Sequence, residues 1–278
     1  MKKLFLLLSA CVALTACTKK QAPAPEPEPA TPGSLVLYYS QAGATEKVAQ
    51  LIAQQTGADI EKFDVSPAYD GDFNATIARC QQEMKDGTLP ELVALKKDVA
   101  KYDTIYLGYP IWFGTYAPPV TALLKAVDLK GKVVVPFCSF GSGGLESSTA
   151  ALKAALPEST LLPGYGVRAA RVEKAAKEVE CFLVENGIKA GEKVSLPDFS
   201  EAKPVKKTDV AVFDAACGDY QMPLGIPVLV SQRALSDATE YCFLCKNKGQ
   251  KDKEASTKIY VTAPNDKNLK PEFTKVVR

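Results

Sequence analysis

The sequence predicts an α/β fold. It has a doubly wound, five-stranded parallel sheet over residues 34–190 and a small all-β module over residues 205–278. Three observations predict it. Short apolar, β-rich runs alternate with segments whose apolar residues recur at helical spacing, the pattern of strands joined by crossover helices. Loops rich in Ser, Gly and Thr or in aromatics follow the first, third and fourth of those runs. Past Gly187 the helical periodicity fades, and short β-like runs follow one another with Gly, Asp and Lys clusters between them.

The totals limit the chemistry. The 278 residues suffice for one large domain or two modest ones. The 34 Lys and Arg exceed the 32 Asp and Glu only through Lys2 and Lys3, so the chain beyond residue 16 is balanced. That balance gives no electrostatic case for a nucleic-acid partner. The chain has no histidine, which excludes His-based triads, imidazole metal sites and a His general base. No metal site is arguable from the sequence.

Residues 1–16 open with Lys2 and Lys3, continue with an apolar run from Leu4 to Leu14 and end in small residues. This pattern predicts a secretory signal, too short to span a bilayer as a stable helix. Its end, Leu14-Thr15-Ala16-Cys17, resembles the bacterial lipobox. The resemblance implies a diacylglycerol thioether and N-acylation on Cys17, hence a membrane anchor; Thr18, rather than Asp, after the cysteine resembles lipoproteins released to the periplasmic side of the outer membrane. Residues 17–33 carry Pro23, Pro25, Pro27, Pro29 and Pro32. They predict an extended tether reaching roughly 50 Å at about 3.1 Å per residue.

The folded part starts with Leu35-Val36-Leu37-Tyr38-Tyr39, a buried strand, and the turn Ser40-Gln41-Ala42-Gly43-Ala44-Thr45. Val48, Leu51 and Ile52 then mark one helix face, with Thr45 where the helix should begin. Residues 58–65 alternate as an outer strand, and 74–85 are helical in pattern. Residues 103–109 (DTIYLGY) and 132–138 (KVVVPFC) are central strands, and Val120, Leu123, Leu124 and Val127 mark the helix between them. A helix over 145–156, a short last strand at 160–162 and a helix over 172–185 complete the unit.

The loops carry the chemistry. A strand, a hydroxyl-bearing turn and a helix aim free backbone N–H groups and a helix dipole at an anion, with phosphate the obvious candidate. The loop after the third strand, Tyr109-Pro110-Ile111-Trp112-Phe113-Gly114-Thr115-Tyr116, holds the only tryptophan of the chain. The loop after the fourth, Ser139-Phe140-Gly141-Ser142-Gly143-Gly144, has three glycines that let backbone approach a ligand. In open α/β sheets, ligands bind beyond the strand C-termini at the switch point of the strand order.

With these loops in sequence, residues 34–188 resemble a flavodoxin of the short type. Such proteins carry a YPIWWG-like loop, here Tyr109 to Gly114, and a PFC-T-x-GGSG-like loop, here Pro136 to Gly144. The resemblance implies a flavodoxin-like sheet of order 2-1-3-4-5 and FMN as cofactor. It places Ser40, Gln41, Gly43, Ala44 and Thr45 at the phosphate. Pro110, Ile111, Trp112, Phe113 and Gly114 would flank the isoalloxazine, with Trp112 as stacking ring. Ser139, Phe140, Gly141, Gly143 and Gly144 would line its pyrimidine edge. Two positions depart from the pattern: Ala42 stands where flavodoxins usually have Ser or Thr, and Gly-Ser-Gly-Gly replaces Gly-Gly-Ser-Gly. The implied function is electron transfer through FMN, to a redox partner protein or a small quinone-like acceptor. A non-redox lipoprotein on the same scaffold with an empty or altered site is the alternative, to which Ala42 and the extra module lend weight.

In the C-terminal module the β-like runs are 210–213, 227–232, 239–246 and 258–262. Cys242 and Cys245 fall in one of them, where i and i+3 point to opposite faces and do not readily bridge each other. Cys217 is a candidate partner for either, and a thiol oxidoreductase is a third reading. Cys80, Cys138 and Cys181 fit core positions. Neither loop flanking the ring contains an acidic residue, and negative charge near the ring would make reduction harder. A redox titration should therefore give a second reduction step less negative than in strongly acidic flavodoxins; a very low second potential would contradict this.

Overall fold

The computed structural model describes residues 33–69 and 72–278. The signal, the Cys17 lipidation site and the tether expected before Gly33 lie outside the described residues. The first unit runs β1 (Ser34–Tyr38), α1 (Ala44–Thr56), β2 (Asp59–Lys62), α2 (Phe73–Asp86), β3 (Thr104–Trp112) and α3 (Pro118–Ala126). It continues with β4 (Val133–Phe140), α4 (Leu145–Ala155), β5 (Thr160–Leu161), β6 (Tyr165–Arg168) and α5 (Ala175–Glu185). The order is β2-β1-β3-β4-β5, all parallel, as expected. The last strand is divided: β5 pairs with Val133 and Val134, β6 with residues 137–140. Pro163 lies in the gap, and a proline has no amide hydrogen to give a ladder.

Alternation along the strands fills both faces of the sheet. Leu35, Leu37, Ile105, Leu107 and Val134 pack with Leu123 of α3 and Leu152 of α4. Val36, Tyr106, Val135 and Phe137 pack with Val48 and Ile52 of α1 and Val179 and Leu183 of α5. Strands buried on both sides read as continuous apolar runs, which is why the central ones were legible. Helix α1 starts one residue earlier than Thr45: Gly43, in the left-handed region at φ 87°, is the cap residue. The helix-facing hydroxyl is that of Ser40, which accepts from the Glu46 N–H at 3.2 Å.

The second unit is a five-stranded antiparallel sheet of residues 203–204, β7 (Ile226–Ala234), β8 (Ala238–Lys246), β9 (Thr257–Pro264) and β10 (Glu272–Val277). It is not all-β. The run 210–213 lies within helix α6 (Lys207–Cys217). Val-Ala-Val-Phe favours strand locally, but Phe213 and Cys217, four apart, share the helix face that packs on Phe243, Ile259 and Phe273. Tertiary packing decides against the local propensity.

Edge strand β10 docks the second sheet onto the first unit. The Val276 N–H donates to the Ser142 carbonyl at 2.6 Å. Arg168 donates through Nε to Gly141 O at 2.8 Å and through a terminal nitrogen to Phe273 O at 3.0 Å, its guanidinium 4.1 Å from the Phe273 ring centroid. Arg171 pairs with Glu272 at 3.0 Å, Lys174 also reaches Glu272, and Lys275 pairs with Glu146 at 3.0 Å.

Burial alone would raise the Glu272 pKa, but hydrogen bonds from Lys174 and Arg171 and their charges outweigh it and hold the carboxyl below its ordinary value. A carboxyl depressed on folding contributes stability that is present above its unfolded pKa of about 4.3. That stability is lost as pH falls through the lower folded value. Glu272→Gln should accordingly be less stable than the parent at neutral pH in urea unfolding, and the difference should vanish in strong acid. A pH-independent difference would contradict the assignment.

Candidate functional site

The C-terminal ends of β1, β3 and β4 carry the three loops to one edge of the sheet. The loops are tied together. Thr45 Oγ1 and Ser139 Oγ, from the first and third loops, share a buried hydrogen bond of 2.8 Å. Gln41 Nε2 donates to Thr76 Oγ1 at 2.7 Å, fastening the first loop to α2. Ser147 Oγ donates to Gly114 O at 2.5 Å, fastening the second loop to α4. Each tie joins segments that are remote in the chain.

At the first loop, Ser40 already engages the Glu46 N–H. Among the described residues, no hydrogen bond uses the backbone N–H groups of Ala42, Gly43, Ala44 or Thr45. Four free donors at the start of a 13-residue helix form an anion cradle, strengthened by the helix dipole and by Gly43 in the left-handed region. The hydroxyls of Thr45 and Ser139 bond each other and are buried, so the donors the cradle offers are its backbone N–H groups. Ala42 adds no side-chain donor.

The second loop is a two-residue hairpin, with Ile111 opposite Tyr116 and Trp112 opposite Thr115. Phe113 and Gly114 form its turn at φ 50° and 80°. Two positive φ values are what primed hairpin turns require, and they favour Asn or Gly. A phenylalanine in that region costs roughly 1–2 kcal/mol. The residue is nonetheless 51% exposed, so little burial offsets the strain at this position; such outliers cluster at ligand sites. Trp112 lies edge-on to Tyr39 (centroids 6.0 Å, 88°) and Tyr69 (5.0 Å, 74°), which fix the indole plane.

A cavity of about 680 Å³ opens between these loops. Gln41, Ile111, Trp112, Phe113, Gly114, Gly141, Gly143 and Gly144 all line it. Ser40, Gly43, Ala44 and Thr45 stand outside its lining, in the cradle that continues from Gln41. Pro110 and Ser139 also stand outside it, and Phe140 is buried in the core, so these three can contribute only from behind or through backbone. Sequence reasoning missed the rest of the wall: Phe73, Thr76 and Ile77 of α2, Ser142, Glu146 and Ser147 beside the glycine loop, and Met222 with residues 276–278 of the second unit. The Ser in the glycine loop and the acid after it were visible signals; the α2 and second-unit residues had none. Glu146 brings a carboxylate to the wall that the loops themselves lack, but Lys275 faces it at 3.0 Å and offsets its charge.

The cysteines stand apart from this site. Cys80, Cys138, Cys181, Cys217, Cys242 and Cys245 are all free thiols. Cys217 and Cys245 share the core of the second unit, and burial pushes both thiols up to about 12. Cys242, three residues before Cys245 on β8, lies outside that core, and burial raises its thiol as well, so neither member of the pair is held as the reactive thiolate.

Comparison with known proteins agrees with the geometry. A family model described as Flavodoxin matches residues 33–181, more than half of the chain. An NAD(P)H dehydrogenase (quinone) of Cupriavidus metallidurans is 32% identical over 123 residues, covering 41% of this chain and 60% of that protein. The chain thus spans less than two thirds of that relative. A crystal structure assigned as a flavoprotein from Bacteroides eggerthii is 26% identical with a TM-score of 0.50, covering 57% of this chain and 100% of the other. A flavoprotein in complex with FMN from Lactobacillus acidophilus is 23% identical with a TM-score of 0.45, covering 52% of this chain and 98% of the other. The residues present fit the family's cofactor: free N–H donors for a phosphate, aromatic rings beside a cavity, and a glycine loop whose Gly141 and Ser142 carbonyls are engaged by Arg168 and Val276 while, among the described residues, its N–H groups stay free for a ring edge. The chain belongs to the flavodoxin family, and FMN is its cofactor.

Proposed function

We propose that this protein is an FMN-dependent electron-transfer protein of the bacterial envelope, lipid-anchored through Cys17, with a small quinone-like molecule as acceptor. The observation that supports it is the convergence of an anion cradle, an aromatic hairpin and a glycine loop at one edge of the sheet, the hairpin and the glycine loop lining a cavity that Gln41 joins to the cradle. The N–H groups of residues 42–45 would hold the phosphate, Trp112 and Phe113 would flank the ring, and backbone at 141–144 would meet its pyrimidine edge. Bound there, FMN supplies one- and two-electron chemistry; the protein supplies orientation and electrostatics. Tyr39 and Tyr69 hold the Trp112 plane, and Ser147 holds the Gly114 backbone. The Lys275 partner of Glu146 keeps net negative charge away from the ring.

A small acceptor is favoured over a docking protein because the site is a walled cavity rather than an edge on a flat face. The Cupriavidus relative named as a quinone dehydrogenase points the same way. For the envelope location the support is the Lys2-Lys3 start, the apolar run and the Leu14 to Cys17 motif.

Two sets of variants test the reading. FMN titrated into the chain should quench Trp112 emission; Trp112→Ala, followed by flavin fluorescence, should bind FMN roughly tenfold more weakly, the loss of one aromatic stack. Ala42→Ser should bind about tenfold more tightly, since a hydroxyl donor to a charged phosphate contributes about 1.5 kcal/mol. Unchanged affinities in both would overturn the site. In cells, Cys17→Ser should move the protein from the membrane fraction to the soluble fraction; unchanged fractionation would overturn the anchor.

A further inference from the structure

The flavin cavity is not built by the flavodoxin unit alone. Strand β10 is stitched to the glycine loop by the Val276–Ser142 bond and by Arg168, which holds Gly141 and Phe273 at once. The fit is close: a Cβ on Gly143 would overlap the Val276 carbonyl oxygen, so the loop admits β10 only with glycine there. Past this contact Val277 and Arg278 continue along the cavity wall, joined by Met222. Met222 is 62% exposed, and on the flavodoxin side Phe73 (76%) and Phe113 (51%) are exposed too. The mouth is thus apolar on both sides. Among the described residues Arg278 has no ion-pair partner, whereas Glu146, the carboxylate of the lining, is paired with Lys275. Among the charged side chains of the lining, the one without an ion-pair partner is the Arg278 guanidinium.

We propose that the C-terminal sheet is the selectivity wall of the cavity: Met222 and Val277 set its width for a flat ring, and Arg278 recognises an anionic group on the acceptor. The favoured acceptor is a planar, anionic molecule, which an unpaired guanidinium complements in charge and hydrogen bonding. This rests on the FMN and quinone-like reading above and adds a second module and a sign of charge to it.

The test uses the full chain loaded with FMN and follows the flavin absorbance bands as a sulfonated naphthoquinone, or its neutral parent, is titrated in. The sulfonated compound should bind more tightly. Arg278→Gln should weaken it about tenfold and weaken the neutral parent less, while Arg278→Lys recovers most of the difference. Val277→Trp, which narrows the cavity from the side of the second unit, should weaken both at least tenfold in protein matched to the parent for flavin content. The wall is overturned if Arg278→Gln leaves the ratio of the two affinities unchanged, if Val277→Trp leaves both unchanged, or if the loaded parent binds neither quinone. It is also overturned if photoreduced protein passes electrons to cytochrome c as fast as to the sulfonated quinone. A parent chain that stays colourless after FMN loading would instead sink the cofactor reading on which the wall rests.

Discussion

One buried hydrogen bond, between Thr45 and Ser139, holds the site together. It spans 94 positions of sequence and joins the turn after β1 to the end of β4. Parallel strands make the bond possible, because β1, β3 and β4 deliver their C-termini to the same edge. The sheet brings the cradle and the glycine loop to one edge, and this bond ties the first to the base of the second. Both hydroxyls are sealed from water, where an unpaired polar group is costly, so each fixes the position of the other. The Gln41–Thr76 and Ser147–Gly114 bonds repeat the device at the two sides of the cavity.

Strain appears where such ties permit it. Phe113 occupies a left-handed turn position and is exposed, two departures from what folding alone would select. The hairpin survives because Ile111 and Trp112 are anchored behind it, the latter against Tyr39 and Tyr69. A local cost of this kind, at the rim of a cavity, is the signature of a position shaped by a ligand.

Much of this was legible in the sequence, and the remainder was hidden for identifiable reasons. The central strands announced themselves because both faces are buried, and the three loops because Gly, Ser and aromatic residues cluster after strands. The Thr45 hydroxyl suits a helix cap in sequence; in the fold the helix starts one residue earlier, Thr45 bonds Ser139, and Ser40 meets the Glu46 N–H. Helix α6 was hidden by its β-favouring Val-Ala-Val-Phe run. Phe73 and Thr76 of α2, Met222 and the 276–278 segment carry no local sign of a site. They reach the cavity only through tertiary docking, which periodicity and loop composition do not encode.

The account stands most directly on whether the three loops grip a flavin. Its measurement is the absorbance spectrum of purified full-length chain, refolded with excess FMN and then dialysed. The account predicts retained flavin bands at one FMN per chain. Colourless protein after dialysis, from chain that has folded cooperatively, would contradict it.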